Sequence, residues 1–150
     1  MINKKNWIKI TLVLVLSIVF SCIIVNTNLI NITAVVEETT EFQYNLISMS
    51  SIIGGFLFTG ISILISTIDK ERIKRLWDNH YLDNLYRSAF VGMISNVLTI
   101  FVSFLYLVCH LSTELKLVII RIEIILVFVG LVFFVWCIKF LVSIISKLRE

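Results

Sequence analysis

Polar and apolar positions divide this 150-residue chain into four long apolar segments separated by short polar stretches. The apolar segments cover about residues 7–29, 45–68, 88–110 and 117–143. A helix of about 20 apolar residues is long enough to cross about 30 Å of membrane hydrocarbon. The pattern therefore predicts an all-α, four-helix transmembrane bundle that forms a single integral membrane domain over residues 1–150.

The first apolar segment has features of a signal peptide and of a permanent membrane helix. Lys4 and Lys5 precede it, as basic residues precede the apolar part of a signal peptide. The bulky Phe20 stands where a cleavage site favours small residues, and the apolar run continues beyond it. These two features favour an uncleaved first helix.

Composition agrees with a membrane protein, because 59% of the residues are hydrophobic, 15% are charged and none is proline. A soluble domain of this length cannot fold so much apolar surface into its interior. The four segments also leave no stretch long enough for an additional soluble domain. The chain is therefore expected to be a membrane domain and little else.

Lysines and arginines are distributed unequally between the two predicted membrane surfaces. Eleven of the 13 lie in the N-terminal flank, between helices 2 and 3, or in the C-terminal tail: Lys4, Lys5, Lys9, Lys70, Arg72, Lys74, Arg75, Arg87, Lys139, Lys147 and Arg149. Lys116 and Arg121 lie on the other side. The positive-inside rule therefore predicts an N-in/C-in topology, with both termini and the loop between helices 2 and 3 in the cytoplasm. The net charge of +3 then reflects topology and contact with anionic headgroups, and we expect no direct nucleic acid binding.

Small residues form a stripe along the second segment and another along the third. The second segment carries Ser48, Ser51, Gly55, Thr59, Ser62 and Ser66, and the third carries Ser88, Gly92, Ser95, Asn96, Thr99 and Ser103. Spacings of three and four residues place each set on one helical face, where small side chains let another helix approach closely. We predict that the two faces pack on each other and contribute to a homo-oligomer. The predicted helix-packing and oligomer seam consists of Ser51, Gly55, Thr59, Ser62, Gly92, Asn96 and Thr99.

Asn96 is predicted to place an amide group near the middle of the membrane. Such a group needs a hydrogen-bond partner there, because lipid offers none. A hydrogen bond to a neighbouring helix is the first interpretation. A polar seam that lines a pore or a subunit contact is the alternative.

The fourth segment is bulky and apolar between Ile124 and Ile138, apart from Gly130, so it is predicted to face lipid or to lie at the periphery of the bundle. Arg121 and Glu123 lie near its outer end. They are two residues apart and therefore on different helical faces, so they do not pair with each other. We expect both side chains to reach the membrane interface, with an outer gate or a ligand contact as the alternative.

Two polar stretches are candidate contact surfaces. The loop between helices 2 and 3 has apolar residues at near-helical spacing among charged ones, which predicts an amphipathic cytoplasmic segment. Its predicted contact residues, for headgroups or a cytosolic partner, are Arg72, Lys74, Arg75 and Trp77. The loop between helices 1 and 2 carries the predicted outer-face sensing residues Glu37, Glu38 and Glu41.

Motifs for catalysis, cofactor binding and metal binding are not recognisable in the chain. His80 and His110 fall on opposite sides of the predicted membrane, so they cannot share a site. The Gly54–Gly55 pair lies inside an apolar segment, which is not the context of a phosphate loop. A non-enzymatic protein without a cofactor is therefore expected.

One short motif and the order of segments resemble a known family. The motif Gly-Phe-Leu-Phe-Thr-Gly at 55–60 is followed by the charged stretch DKERIKRLWDNHYLD and a third apolar segment. Over most of the chain this arrangement resembles small four-span bacterial membrane proteins of defence gene clusters, in particular the KwaA-like membrane subunits of Kiwa anti-phage systems. The resemblance implies a homo-oligomeric inner-membrane protein that responds to infection at the envelope and works with a cytosolic, DNA-binding partner subunit.

The expected function is a membrane sensor or scaffold subunit that recruits a cytosolic effector. A shift between two packings of the predicted seam would transmit the signal, since coupled sites need an element with two states. An oligomeric pore that depolarises the membrane is the alternative from a different class. An immunity or accessory protein for a secreted peptide fits the same architecture.

Overall fold

A computed structural model of the protein describes residues 4–27, 39–66, 81–110 and 112–149, which contain four α-helices. The helices are α1 (Lys4–Asn26), α2 (Thr39–Ser66), α3 (Tyr81–Val108) and α4 (Thr113–Arg149). Each is long and apolar enough to cross a membrane, within Ile8–Val25, Thr40–Ile63, Leu85–Val108 and Thr113–Ser143 respectively. The predicted all-α bundle with four candidate membrane spans is therefore confirmed. The predicted amphipathic loop falls largely at 67–80, outside the described residues.

A short connection at 109–112 makes α3 and α4 antiparallel neighbours. The amide of Cys109 donates to the carbonyl of Leu105 at 2.9 Å and completes the last turn of α3. The amide of Lys116 donates to the carbonyl of Ser112 at 3.0 Å, so Ser112 stands at the N-cap of α4. Glu114 follows in the first turn, where a negative charge is favourable. We call this the short-loop end of the bundle.

Helices α3 and α4 form the centre of the bundle. α3 packs along both α2 and α4, whereas α1 packs chiefly on α4. On α4, the side chains of Ile120 and Phe133 are completely buried. The prediction that the fourth segment is lipid-facing or peripheral is therefore wrong. Bulky apolar residues suit the interior of a membrane protein as well as its lipid surface, so their presence did not distinguish the two.

Three apolar clusters fill the interior. The first joins α2, α3 and α4 toward the end opposite the short loop and contains Ile53, Leu57, Leu82, Leu85, Ala89 and Cys137. The second lies at the short-loop end and contains Val25, Tyr106 and Ile120. The third holds α1 against the centre of the bundle through Ile10, Val129 and Phe133. Close packing of this kind supplies the dispersion contacts on which helix association in lipid depends.

Helix α2 does not pack its small-residue face against the other described helices. Its buried face carries Leu46, Ser50, Ile53 and Leu57, at spacings of four, three and four residues. The stripe of small residues, Ser48, Ser51, Gly55, Thr59, Ser62 and Ser66, is exposed. The predicted packing of this stripe on the stripe of α3 is therefore wrong. The larger apolar residues of the opposite face make that contact instead.

Two glycines allow α3 to approach its neighbours closely. A Cβ atom at Gly92 would lie 3.0 Å from Leu57 Cδ1 on α2 and 3.2 Å from Phe133 Cβ on α4. A Cβ atom at Gly130 would lie 2.8 Å from Asn96 Nδ2. These glycines therefore provide the space in which three helices meet near the middle of the bundle.

Candidate functional site

A completely buried carboxyl group, Glu123 of α4, lies at the junction of α2, α3 and α4. Gln43 of α2 donates a hydrogen bond from its Nε2 to Glu123 Oε2 at 2.8 Å. Ser103 of α3 donates from its Oγ to Glu123 Oε1 at 3.0 Å. Both partners are themselves completely buried. We call Glu123, Gln43 and Ser103 the carboxyl cluster.

The local sequence explains why Glu123 points inward. Ile120, Glu123, Val127 and Gly130 are all buried, and their spacings of three, four and three residues define one face of α4. Arg121 lies on the exposed side of the same helix. The interfacial position predicted for Glu123 is therefore wrong, whereas the exposure of Arg121 agrees with that prediction. The spacing of Glu123 from Gly130, two helical turns, was the sequence signal that could have placed it in the interior.

The second apolar cluster lies next to the carboxyl cluster at the short-loop end. Its buried members Val25, Tyr106 and Ile120 come from three helices, and Phe42 of α2, the neighbour of Gln43, packs against them. The ammonium group of Lys116 lies over the Tyr106 ring, 5.8 Å from its centroid. An apolar layer thus covers the carboxyl group on this side, with a cation at its margin.

The two hydrogen-bond partners of Glu123, Gln43 and Ser103, are neutral side chains. Among the described parts of the chain, no lysine or arginine forms an ion pair with its carboxyl group. An ionised carboxylate in apolar surroundings is costly unless it is paired. A charged Glu123 would therefore be unusual in this interior.

Further polar side chains continue along the buried face of α3. Ser95 donates to the carbonyl of Leu126 on α4 at 2.7 Å, which ties the two central helices together. Thr99 donates to the carbonyl of Ser95 at 3.0 Å. Asn96 donates from Nδ2 to the carbonyl of Gly92 at 2.7 Å, within its own helix. The predicted hydrogen bond from Asn96 to a neighbouring helix is therefore wrong.

The seven residues of the predicted seam do not form one surface. Gly92, Asn96 and Thr99 of α3 are buried inside the protomer. Ser51, Gly55, Thr59 and Ser62 of α2 are exposed on its outside. A Cβ atom at Gly55 would meet nothing within 4 Å. The α3 part of the seam thus serves packing within the protomer, and the α2 part remains open to contacts with other molecules.

Most of the predicted contact residues in the loops lie outside the described residues. This applies to Arg72, Lys74, Arg75, Trp77, Glu37 and Glu38. Glu41 lies in the first turn of α2 and is exposed. Its carboxyl group is two residues from Gln43 and points to another side of the helix. It does not belong to the carboxyl cluster.

Comparison of the chain with protein-family models, with curated proteins and with solved structures finds no match. The class of the protein therefore follows from its own fold. By length and hydropathy, the four helices could all cross a membrane, which indicates a multi-pass membrane protein. Its candidate site is the carboxyl cluster in the interior of that bundle.

Proposed function

We propose that this protein is a non-enzymatic sensor or scaffold subunit of the bacterial inner membrane that self-associates and recruits a cytosolic effector. The observation that carries the proposal is the small-residue face of α2, which is exposed and is not covered by any of the other described helices. In lipid, helices associate through close backbone approach, for which small side chains are suited. We therefore infer that a second copy of the chain packs on the small-residue face of α2.

The anti-phage setting and the cytosolic effector rest on the resemblance to KwaA-like membrane subunits. Within that setting, the arginines at 72 and 75 and Trp77 would contact the effector, and the acidic residues at 37, 38 and 41 would meet the signal outside. The bundle would connect the two sides. Its role would be to hold effectors together at the membrane rather than to perform chemistry.

A depolarising pore is the second candidate, because the same exposed face carries hydroxyl groups that could line water in an oligomer. Two of these hydroxyl groups already have acceptors in their own helix. Ser62 donates to the carbonyl of Phe58 at 2.9 Å, and Ser66 donates to the carbonyl of Ile63 at 2.8 Å. Hydroxyl groups bonded in this way need no water, which favours a helix contact over a pore lining.

Replacing Gly55 with leucine should weaken self-association and leave the protomer folded. The new side chain would enter open space in the protomer, so its clash would be with another molecule. We expect at least about a tenfold loss of association, equivalent to about 1.4 kcal/mol. Native mass measurements in mild detergent over a range of protein concentrations would detect the change.

Gly60 offers a matched control on the same helix. A Cβ atom at Gly60 also meets nothing within 4 Å, but Gly60 lies off the small-residue stripe. Gly60→Leu should therefore leave the native mass unchanged. The α2 interface would be refuted if Gly55→Leu and Gly60→Leu changed the native mass equally. It would also be refuted if the wild-type protein were monomeric. Collapse of membrane potential on expression of the protein alone would favour the pore.

A further inference from the structure

The carboxyl cluster has a donor and acceptor arrangement that can hold the carboxyl group in two states. In the ionised state, Glu123 accepts one hydrogen bond at each oxygen, from Gln43 Nε2 and Ser103 Oγ. In the protonated state, one oxygen becomes a donor and needs an acceptor. The Ser103 hydroxyl group can be this acceptor if it rotates, because a hydroxyl group can both donate and accept a hydrogen bond.

Gln43 provides a second acceptor, which is unused in this structure. Its Oε1 atom is buried and has no hydrogen-bond partner among the described residues. A buried polar atom without a partner is uncommon and calls for an explanation. A half-turn of the Gln43 amide would exchange its oxygen and nitrogen and bring Oε1 toward the carboxyl group. Within the described part of the chain, the unpartnered acceptor and the lack of a counter-charge therefore point to the same occupant, a bound proton.

We propose that Glu123, Gln43 and Ser103 form a proton-binding site in the interior of the bundle, and that a proton is bound there at neutral pH. The proton sits on Glu123 and is held by hydrogen bonds to Gln43 or Ser103. A metal ion fits the arrangement less well, since among the described residues Glu123 belongs to no group of three or more His, Cys, Asp or Glu side chains that could hold one. The proposal is independent of the α2 interface, because the cluster lies within one protomer.

Proton exchange would take place through the short-loop end. Gln43 lies four residues after the start of α2, and Ser103 lies five residues before the end of α3. At 1.5 Å per residue, the cluster lies about 6–8 Å inside these helix ends. The layer of Val25, Tyr106 and Ile120 separates it from that surface. A small displacement of this layer would admit water to the carboxyl group.

Among the described residues, the other titratable or charged groups at this end belong to all four helices and the α3–α4 connection. They are Cys22 on α1, Glu41 and Tyr44 on α2, Tyr106 on α3, Cys109 and His110 in the connection, and Glu114, Lys116 and Arg121 on α4. Tyr106 alone among them is buried; Cys22 and Lys116 are half-buried, and the rest are exposed. The other described carboxyl groups at this end, those of Glu41 and Glu114, are therefore in contact with water, whereas Glu123 is completely buried.

Infrared spectroscopy of the purified protein in liposomes tests the proposal. We expect a C=O stretching band of a protonated carboxyl group at neutral pH, shifted in D₂O, and absent from Glu123→Gln. Matched variants Glu41→Gln and Glu114→Gln should retain the band, because both glutamates are exposed. Absence of the band at neutral pH in the wild-type protein would overturn the proposal, whether or not the variants fold. Loss of the band on addition of sodium chloride at constant pH would also overturn it and assign a metal ion to the site.

Labelling with dicyclohexylcarbodiimide would locate the bound proton without any variant. The carboxyl proton moves to a carbodiimide nitrogen, the carboxylate oxygen adds to the central carbon, and the product rearranges to a stable N-acylurea that contains both reactants. Mass spectrometry of the α4 peptide should find one adduct at Glu123, with a yield that falls as the pH is raised. An adduct confined to other carboxyl groups while the infrared band is present would assign the proton elsewhere and refute the site.

Discussion

Glu123→Ala is expected to lower the free energy of unfolding of the bundle by about 2–4 kcal/mol, because it removes the shared acceptor of two buried donors. Gln43 Nε2 and Ser103 Oγ both bond to this carboxyl group, from α2 and α3 respectively. Each donor left unpaired costs about 1–3 kcal/mol in water-soluble proteins and less in lipid. The cavity left by the shortened side chain adds to the loss. Thermal unfolding in mild detergent, monitored by size-exclusion chromatography, would measure this loss of stability.

Glu123→Gln is the matched control for this prediction. A glutamine has nearly the shape of a protonated glutamic acid, and it can both accept and donate hydrogen bonds. Its amide could bond Ser103 and the unused Oε1 atom of Gln43. We therefore expect a loss of less than about 1 kcal/mol. A glutamine variant as unstable as the alanine variant would show that the negative charge itself holds the helices together.

The fold was predictable from the sequence because one property, length of apolar run, determines it. Four such runs with polar ends predict four spans, and the helices contain spans at nearly the predicted positions. The start of α2 was less predictable. It begins at Thr39, before the apolar run, since Gln43 in its polar first turns has a buried partner 80 residues away on α4. Helix ends that depend on such distant contacts are not encoded in the local pattern.

The choice of buried face was not predictable from the same pattern. In a soluble protein, apolar residues mark the buried face of a helix, but in lipid both faces can be apolar. The buried face of α2 carries Ile53 and Leu57, while the small residues that suggested close packing are outside. Glu123 was misplaced for a related reason. From the sequence, a carboxyl group near a helix end can lie at the membrane interface or in the interior. Only the structure shows that Gln43 and Ser103 bond to Glu123 in the interior.

Gly130→Ala is expected to destabilise the bundle by about 1–3 kcal/mol, because there is no room for a methyl group at this position. The added Cβ would lie 2.8 Å from Asn96 Nδ2 and 3.2 Å from both Cγ and Oδ1 of the same side chain. Asn96 cannot move away easily, since its Nδ2 is bonded to the carbonyl of Gly92 at 2.7 Å. The measurement is again thermal unfolding in detergent. Gly60→Ala, which meets nothing within 4 Å, should cause no loss.

A double-mutant cycle with Asn96→Ala distinguishes a local clash from a general intolerance of alanine at Gly130. Truncating Asn96 removes the atoms that the new methyl group would meet, and it also removes a buried Oδ1 atom that has no hydrogen-bond partner. The double variant should therefore be more stable than the sum of the single effects predicts, by about 1 kcal/mol or more. Additive losses would mean that the backbone of α4 at Gly130, rather than contact with Asn96, requires glycine. Recovery in the double variant would establish that Gly130 is needed because Asn96 occupies the crossing point of α3 and α4.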